Sequence, residues 1–255
     1  MVWELIAPSR QLIWPRWRRW PGNVALAFCG AALQRFFLPL GAVSTALYIQ
    51  KLGFGLLTQL QLPPLMESVL VIVVLDLAIY WQHRVTHVLP WLWRLHSVHH
   101  ADQDVDGTTA LRFHPFEIAL SLVWKSLVII LLGASPESVL LFEILLNSLA
   151  IFNHANARLP VRLERFLRFF IVTPNMHRVH HSIDGQDQLH NFGFNLTIWD
   201  RLFGSHRESS AFESRSDSES NPFSPSFPLG VEDWQNDVRT ISLGWLLRMP
   251  FLRQD

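Results

Sequence analysis

Cysteine is almost absent from this chain: one residue, Cys29, in 255. That excludes an internal disulfide and any metal or iron–sulfur site built on several thiolates, and leaves Cys29 as a small apolar helix residue. Net charge is missing too, with 21 Lys and Arg balanced by 21 Asp and Glu. The chain therefore has no global pull on nucleic acid, and no nucleic-acid partner is expected. No G-x-G-x-x-G follows a strand pattern, no flavin, haem or nicotinamide motif is evident, and H-E-x-x-H does not occur. The N-terminus, "MVWELIAPSRQLIWPRWRRW", lacks the order of a cleavable signal peptide, because its charges follow its apolar residues.

Apolar and aromatic residues are abundant: 49% of the chain is hydrophobic, with 11 Trp and 18 Phe. That mixture points to a membrane protein with a sizeable polar part. Trp14, Trp17 and Trp20 interleave with Arg16, Arg18 and Arg19, a combination suited to the headgroup layer, so residues 1–21 read as an interfacial segment. Gly22 to Gln50 is long enough to span a bilayer, although Arg35 interrupts it. Leu62 to Trp81 is a second span, carrying Asp76 and running directly into His83. Phe116 to Gly133 and Ser138 to Phe152 are shorter and contain Glu117, Lys125 and Glu143. They read either as two crossings or as a re-entrant hairpin.

The expected fold is all-α: an integral membrane helical bundle of about four transmembrane or partly re-entrant helices, with a helical cap. The main domain covers residues 22–205. A Ser/Pro-rich flexible loop is expected at 206–230, and a segment at 231–255 that packs on the core or the interface. An even number of crossings before each histidine group places both groups on the side of Arg16, Arg18 and Arg19. By the positive-inside tendency that side is the cytoplasm.

All 12 histidines lie between His83 and His206. "HRVTH" puts His83 and His87 four apart, on one helical face. "HSVHH" (His96, His99, His100) and "HRVHH" (His177, His180, His181) repeat an i, i+3, i+4 pattern. Neutral imidazole is the commonest metal-ligand side chain. One structural zinc takes four ligands, so this number of rings fits a two-metal centre. Imidazole suits iron, zinc and copper alike, and ligand type does not choose among them. Satisfied core histidines and a proton relay are the alternatives without metal.

The ordered boxes, with "LPWLWRLHSVHH", "ALRFHP", "FNHAN", "TPNMHRVHHS" and "NFGFNLTIWDRLFGS", resemble the fatty acid hydroxylase superfamily, also called the sterol desaturase family. The resemblance covers roughly Asp76 to Ser205, and part of it is similar to the alkylglycerol monooxygenase branch. It implies an integral membrane non-haem di-iron oxygenase of lipid metabolism. It also implies two Fe ions, with Zn replacing them in overexpressed samples, O₂ as co-substrate, and hydroxylation or desaturation of a lipid. The lipid is a sterol, fatty acyl chain, sphingolipid, ether lipid or carotenoid. Electrons then come from a separate cytochrome, ferredoxin or reductase, and the membrane is a bacterial inner membrane or the endoplasmic reticulum.

Residue by residue, the resemblance carries metal ligands onto His83, His87, His96, His99, His100, His177, His180 and His181, with His154 as a further ligand. Ala150 stands where some members have another histidine, which leaves water, Asn153, Asn156 or His190 for the last position. Asp76, two helical turns before His83, is placed to accept that ring's other N–H; its alternative is an ion pair with Arg35 or Lys125. His114 is expected to line the site, and Asn175, Asn191 and Asp200 to hold ligands or backbone. The rival functions are a membrane zinc hydrolase, which wants a carboxylate inside the box, and a non-catalytic metal-handling protein with ligands at mid-bilayer depth.

Overall fold

Proline occupies the first turn of helices beginning at Pro64, Pro90, Pro115, Pro136 and Pro174, where its missing N–H costs nothing and its fixed φ suits the helix. The computed structural model describes residues 2–37, 41–207 and 227–252. The helices run α1 (Val2–Ile6), α2 (Arg16–Phe37), α3 (Ala42–Leu52), α4 (Pro64–Val88), α5 (Pro90–His100), α6 (Pro115–Leu132), α7 (Pro136–Asn153), α8 (Val161–Leu167), α9 (Pro174–His180), α10 (Gly185–Gln188), α11 (Ile198–Leu202) and α12 (Leu243–Leu246). Among the described residues short 3₁₀ helices and isolated bridges, but no strands, accompany them. Most of the expected 206–230 loop, residues 208–226, lies outside the described residues.

Among the described residues four segments are long and apolar enough to cross a membrane: 16–52, α4, α6 and α7. The first contains the Gly22–Gln50 span expected, begins earlier at Arg16, and has its described residues in α2 and α3. At 1.5 Å per residue α4 is about 37 Å long, more than the ~30 Å hydrocarbon layer. It is therefore long enough to extend past that layer, and His83 and His87 stand in its last two turns. With 18 residues each, α6 and α7 are about 27 Å long, at the short end of the roughly 17–25 residues of a membrane-crossing helix.

The bundle has two unlike ends. At one, the α3–α4 connection meets the α6–α7 turn backbone to backbone: a Cβ on Gly55 would lie 2.2 Å from Gly133 Cα. Both glycines hold positive φ, +122° and +67°, which no β-carbon favours. Between the helices, Val71, Leu75, Ile79, Leu122, Ile129 and Phe142 form the main apolar core. Large apolar side chains such as Phe36, Leu65, Leu127 and Ile144 face outward, as a lipid-facing surface requires.

The other end carries a polar cap. The N-terminal segment is clamped onto it: Glu4 Oε1 accepts from Gly107 N and Asn156 N, and Asp104 accepts from Ile13 N and Trp14 N. Trp17 is exposed, but Arg19 is fully buried, so Arg19 is not one of the free interfacial charges the sequence suggests. Leu246 and Met249 pack against Leu26 and Val98. Arg112 ties the same elements together through Val98 O, Asn23 Oδ1 and Thr240 O.

Candidate metal centre

The end of α4, all of α5, the end of α7 and α9 converge beneath the cap and bring nine histidines together. They sort into two groups. His83, His87, His96, His100 and His180 form one; His99, His154, His177 and His181 form the other, and within each group one nitrogen per ring lies within 4.8 Å of every other. His154, one residue past α7, joins the second group.

Hydrogen bonds fix several tautomers. His83 Nδ1 donates to Phe192 O, His180 Nδ1 to His190 O and His154 Nδ1 to Ala150 O, at 2.8, 2.8 and 2.7 Å. A carbonyl only accepts, so each Nδ1 carries the proton and each Nε2 presents a bare lone pair. Yet His83 Nε2 and His180 Nε2 face each other at 3.0 Å. Two lone pairs so placed repel unless a cation lies between them. In the second group the Nε2 atoms make a chain: His99 to His154 at 3.1 Å, His154 to His177 at 2.9 Å, His177 to His181 at 3.2 Å. Nitrogens each about 2.1 Å from one ion, at right angles to one another, are about 3.0 Å apart. Buried ring nitrogens of His87, His96 and His100 have no protein partner, as metal-binding atoms should not. The residues therefore fit two metal ions.

Protonation agrees. Burial first, and then the neighbouring rings, holds the imidazoles of His99, His100, His177 and His181 far below their ordinary value. Burial brings His154 to about 4 and His180 to about 3. These six rings are neutral at pH 7, the form that ligates metal.

The loop after α10 supports two of the rings. Asp200 accepts from Phe192 N, Gly193 N and Ser205 Oγ, and burial raises its carboxyl to about 6. A Cβ on Gly193 would fall 2.6 Å from Asp200 Oδ2, so only glycine fits. Asn153 Nδ2 donates to Phe194 O, and Asn191, at φ +55°, donates to Met176 O and Arg207 O. These bonds hold the carbonyls that orient His83 and His180. His190 contributes its backbone carbonyl, while its ring turns to Gln186 O.

Other expected residues sit elsewhere. Asn156 bonds Arg10 through both ends of its amide, and Asn175 accepts from Arg178. His114 caps α6 by accepting from Phe116 N. Asp76 does not hold His83: its Oδ2 accepts from Trp199 Nε1 at 2.8 Å and from Leu196 N at 3.2 Å. Seven helical residues put it on the right face but about 10.5 Å away along the axis, beyond hydrogen-bond reach. Neither alternative pairing forms, since Arg35 is exposed and Lys125 pairs with Glu143.

The carboxylate that does hold a box histidine is Glu117. Its Oε1 accepts from His96 Nδ1 at 2.6 Å and so turns the bare Nε2 into the first group. The signal was present in the sequence as an acid in the first turn of an apolar span, directly after "RFHP". Glu117→Gln is expected to keep the fold and weaken metal retention about 10–100-fold. Asp76→Asn is expected to lower stability through Trp199 and leave metal content unchanged. Metal analysis and thermal unfolding of both variants check this; full metal retention in Glu117→Gln refutes the role.

Fold and site together define a helical bundle with four segments of membrane-crossing length and composition and, at one end, a polyhistidine cluster that fits two metal ions. The chain belongs to the fatty acid hydroxylase family, whose profile matches residues 68–205, more than half of its length. It is 29% identical over 144 residues to an ornithine lipid hydroxylase, OlsE, of Rhizobium tropici, covering 56% of this chain and 43% of that protein. It is 35% identical over 129 residues to an alkylglycerol monooxygenase of Danio rerio, covering 51% and 28%. It is 24% identical over 140 residues to a cholesterol 25-hydroxylase of Homo sapiens, covering 53% and 49%. The chain thus matches less than half the length of each of these relatives. No solved structure matches it.

Proposed function

We propose that this protein is a membrane di-iron oxygenase that inserts an oxygen atom from O₂ into a C–H bond of a lipid. The observation that carries the metal reading is the pair of bare Nε2 atoms of His83 and His180 at 3.0 Å. The lipid reading rests on the relatives' names and on a cavity of about 430 Å³ that opens on His83 and His96 between α4, α6 and α7. That volume lies in the small-molecule range.

His83, His87, His96, His100 and His180 would hold one ion, and His99, His154, His177 and His181 the other. Bound iron would supply O₂ activation and C–H oxidation. The chain's own contribution is positioning. Phe113 and Phe194 line the cavity beside His83 and His96, excluding water from the reacting carbon. Glu117 and the Phe192 and His190 carbonyls fix three imidazoles. The overall balance is one lipid C–H, O₂, two electrons and two protons giving one lipid C–OH and water, so an external electron donor is required. A mid-bilayer metal carrier is disfavoured because the rings lie at the ends of α4 and α7 and in the cap.

We also propose that the cap faces the cytoplasm, a reading supported by Arg16, Arg18 and the positive-inside tendency. One experiment tests function and sidedness together. Membrane vesicles of known orientation are given ¹⁸O₂ and an impermeant electron donor, and their lipids are analysed. The expected result is ¹⁸O-labelled hydroxylipid only when the cytoplasmic face is outward. No protein-dependent label in either orientation overturns the oxygenase; label only in the opposite orientation overturns the sidedness.

A further inference from the structure

The cavity does not stay apolar as it leaves the histidines. Glu117, Ser121 and Lys125 are spaced i, i+4, i+8 along α6, and all three line it. Across the space stand Gln82 of α4 and Glu143 of α7. Ser121 Oγ donates to Gln82 Oε1 at 3.2 Å. Lys125 Nζ donates to Glu143 Oε1 at 2.6 Å, with side chains 12% and 23% exposed.

A charged pair inside a membrane bundle is costly, and by default marks a site rather than a strut. The bundle does not need the pair for packing, because α6 and α7 each pack on α3 and α4, and Leu122, Ile129, Phe142 and Leu146 already lie in the main apolar core. The pair uses one of three ammonium protons and one of two carboxylate oxygens, so both residues retain capacity for a further hydrogen bond. A hydroxyl can accept from the ammonium and donate to the carboxylate without changing the charge of the site. A phosphate or carboxylate would leave an excess negative charge there. Eight helical residues separate Lys125 from Glu117, about 12 Å along α6.

We propose that Lys125 and Glu143 form a recognition subsite for an uncharged hydroxyl of the substrate lipid, held about 12 Å along the bundle from the His96 end of the cavity. The C–H bond attacked is then remote from that hydroxyl. This rests on the reading that the cavity receives the lipid, but not on the identity of the metal or the chemistry.

The test is binding, which needs no turnover. Tritiated 1-dodecanol is bound to the purified full-length protein in a scintillation proximity assay and competed with unlabelled 1-dodecanol, dodecane and dodecanoate. Wild type is expected to bind dodecanol about tenfold more tightly than dodecane. Lys125→Met/Glu143→Met leaves no unpaired charge behind; it is expected to lose that preference while keeping its dodecane affinity and metal content. Glu143→Gln leaves the ammonium unmatched and is expected to raise dodecanoate affinity about tenfold over wild type. A wild type without preference for the alcohol overturns the subsite, as does a preference that survives the double substitution. If the double variant does not fold, an unchanged dodecanoate affinity in Glu143→Gln overturns it instead. Absence of metal or of ¹⁸O incorporation would overturn the oxygenase reading and leave these binding results intact.

Discussion

His177→Ala is expected to take the protein from about two bound metal ions to about one and to lower turnover by at least about 10²–10⁴-fold, the scale of losing a catalytic ion. His177 is the hub of its group: its Nε2 lies 2.9 Å from that of His154 and 3.2 Å from that of His181. Removing it leaves His99, His154 and His181, and breaks the chain of close nitrogens in two places. The other group is untouched, because His180, three residues on, turns its Nε2 to His83 instead. His180→Ala is therefore expected to lose the other ion, and the double variant both. Metal analysis of anaerobically purified protein reads the result. Two ions retained in His177→Ala, or both lost from that single change, would contradict the partition.

The partition was legible in the boxes, although only the shared face was read from them. At 100° per residue, positions i and i+4 differ by 40°, whereas i+3 lies 60° to the other side of i. In each box the outer pair falls in one group: His83 with His87, His96 with His100, His177 with His181. The middle rings, His99 and His180, fall in the opposite group. The spans were legible for a similar reason, since a bilayer demands a length and composition that local sequence carries. Glu117, Asp76 and Arg19 were harder because their partners are remote in the chain. His96 lies 21 residues from Glu117, Trp199 lies 123 from Asp76, and Asp102 lies 83 from Arg19. An acid or a base shows its need for a partner in the sequence but not which partner meets it. "ADQDVDG" displays three alternating acids, and only the fold brings "RWRRW" over them.

Arg19→Met is the substitution expected to cost the most stability. The Arg19 guanidinium donates to both oxygens of Asp102, at 2.9 and 2.8 Å, to Asp106 Oδ2 at 2.9 Å, and to the carbonyl of Asp104. Asp102 and Asp106 also accept from Thr109 and Thr108 hydroxyls, so the loop leaving α5, directly after His99 and His100, is organised around one cation. Methionine fills part of the volume but strands two buried carboxylates, a loss of roughly 3–5 kcal/mol. Arg19→Lys restores charge without the planar fork and is expected to fall between. The pH dependence identifies the cause. Burial alone would raise the Asp102 carboxyl, but Arg19, and then Arg112, more than offset this and hold it below the ordinary carboxylate range. A depressed folded-state pKa gives stability that is present above the unfolded value of about 3.9 and lost only as pH falls through the lower folded one. Between pH 8 and 5 this group therefore leaves wild-type stability flat. Without Arg19 the largest offset to burial is lost, so the Asp102 carboxyl is expected to titrate higher than in wild type and protonation on acidification to relieve the variant. The stability deficit of Arg19→Met is expected to narrow between pH 8 and 5, and adding Asp102→Asn to recover part of it at pH 8. Thermal unfolding of wild type and variants, compared at each pH, measures both. A deficit that does not change with pH, and that Asp102→Asn leaves in place, would make Arg19 a packing residue and not the counter-ion of the loop that carries the second histidine box.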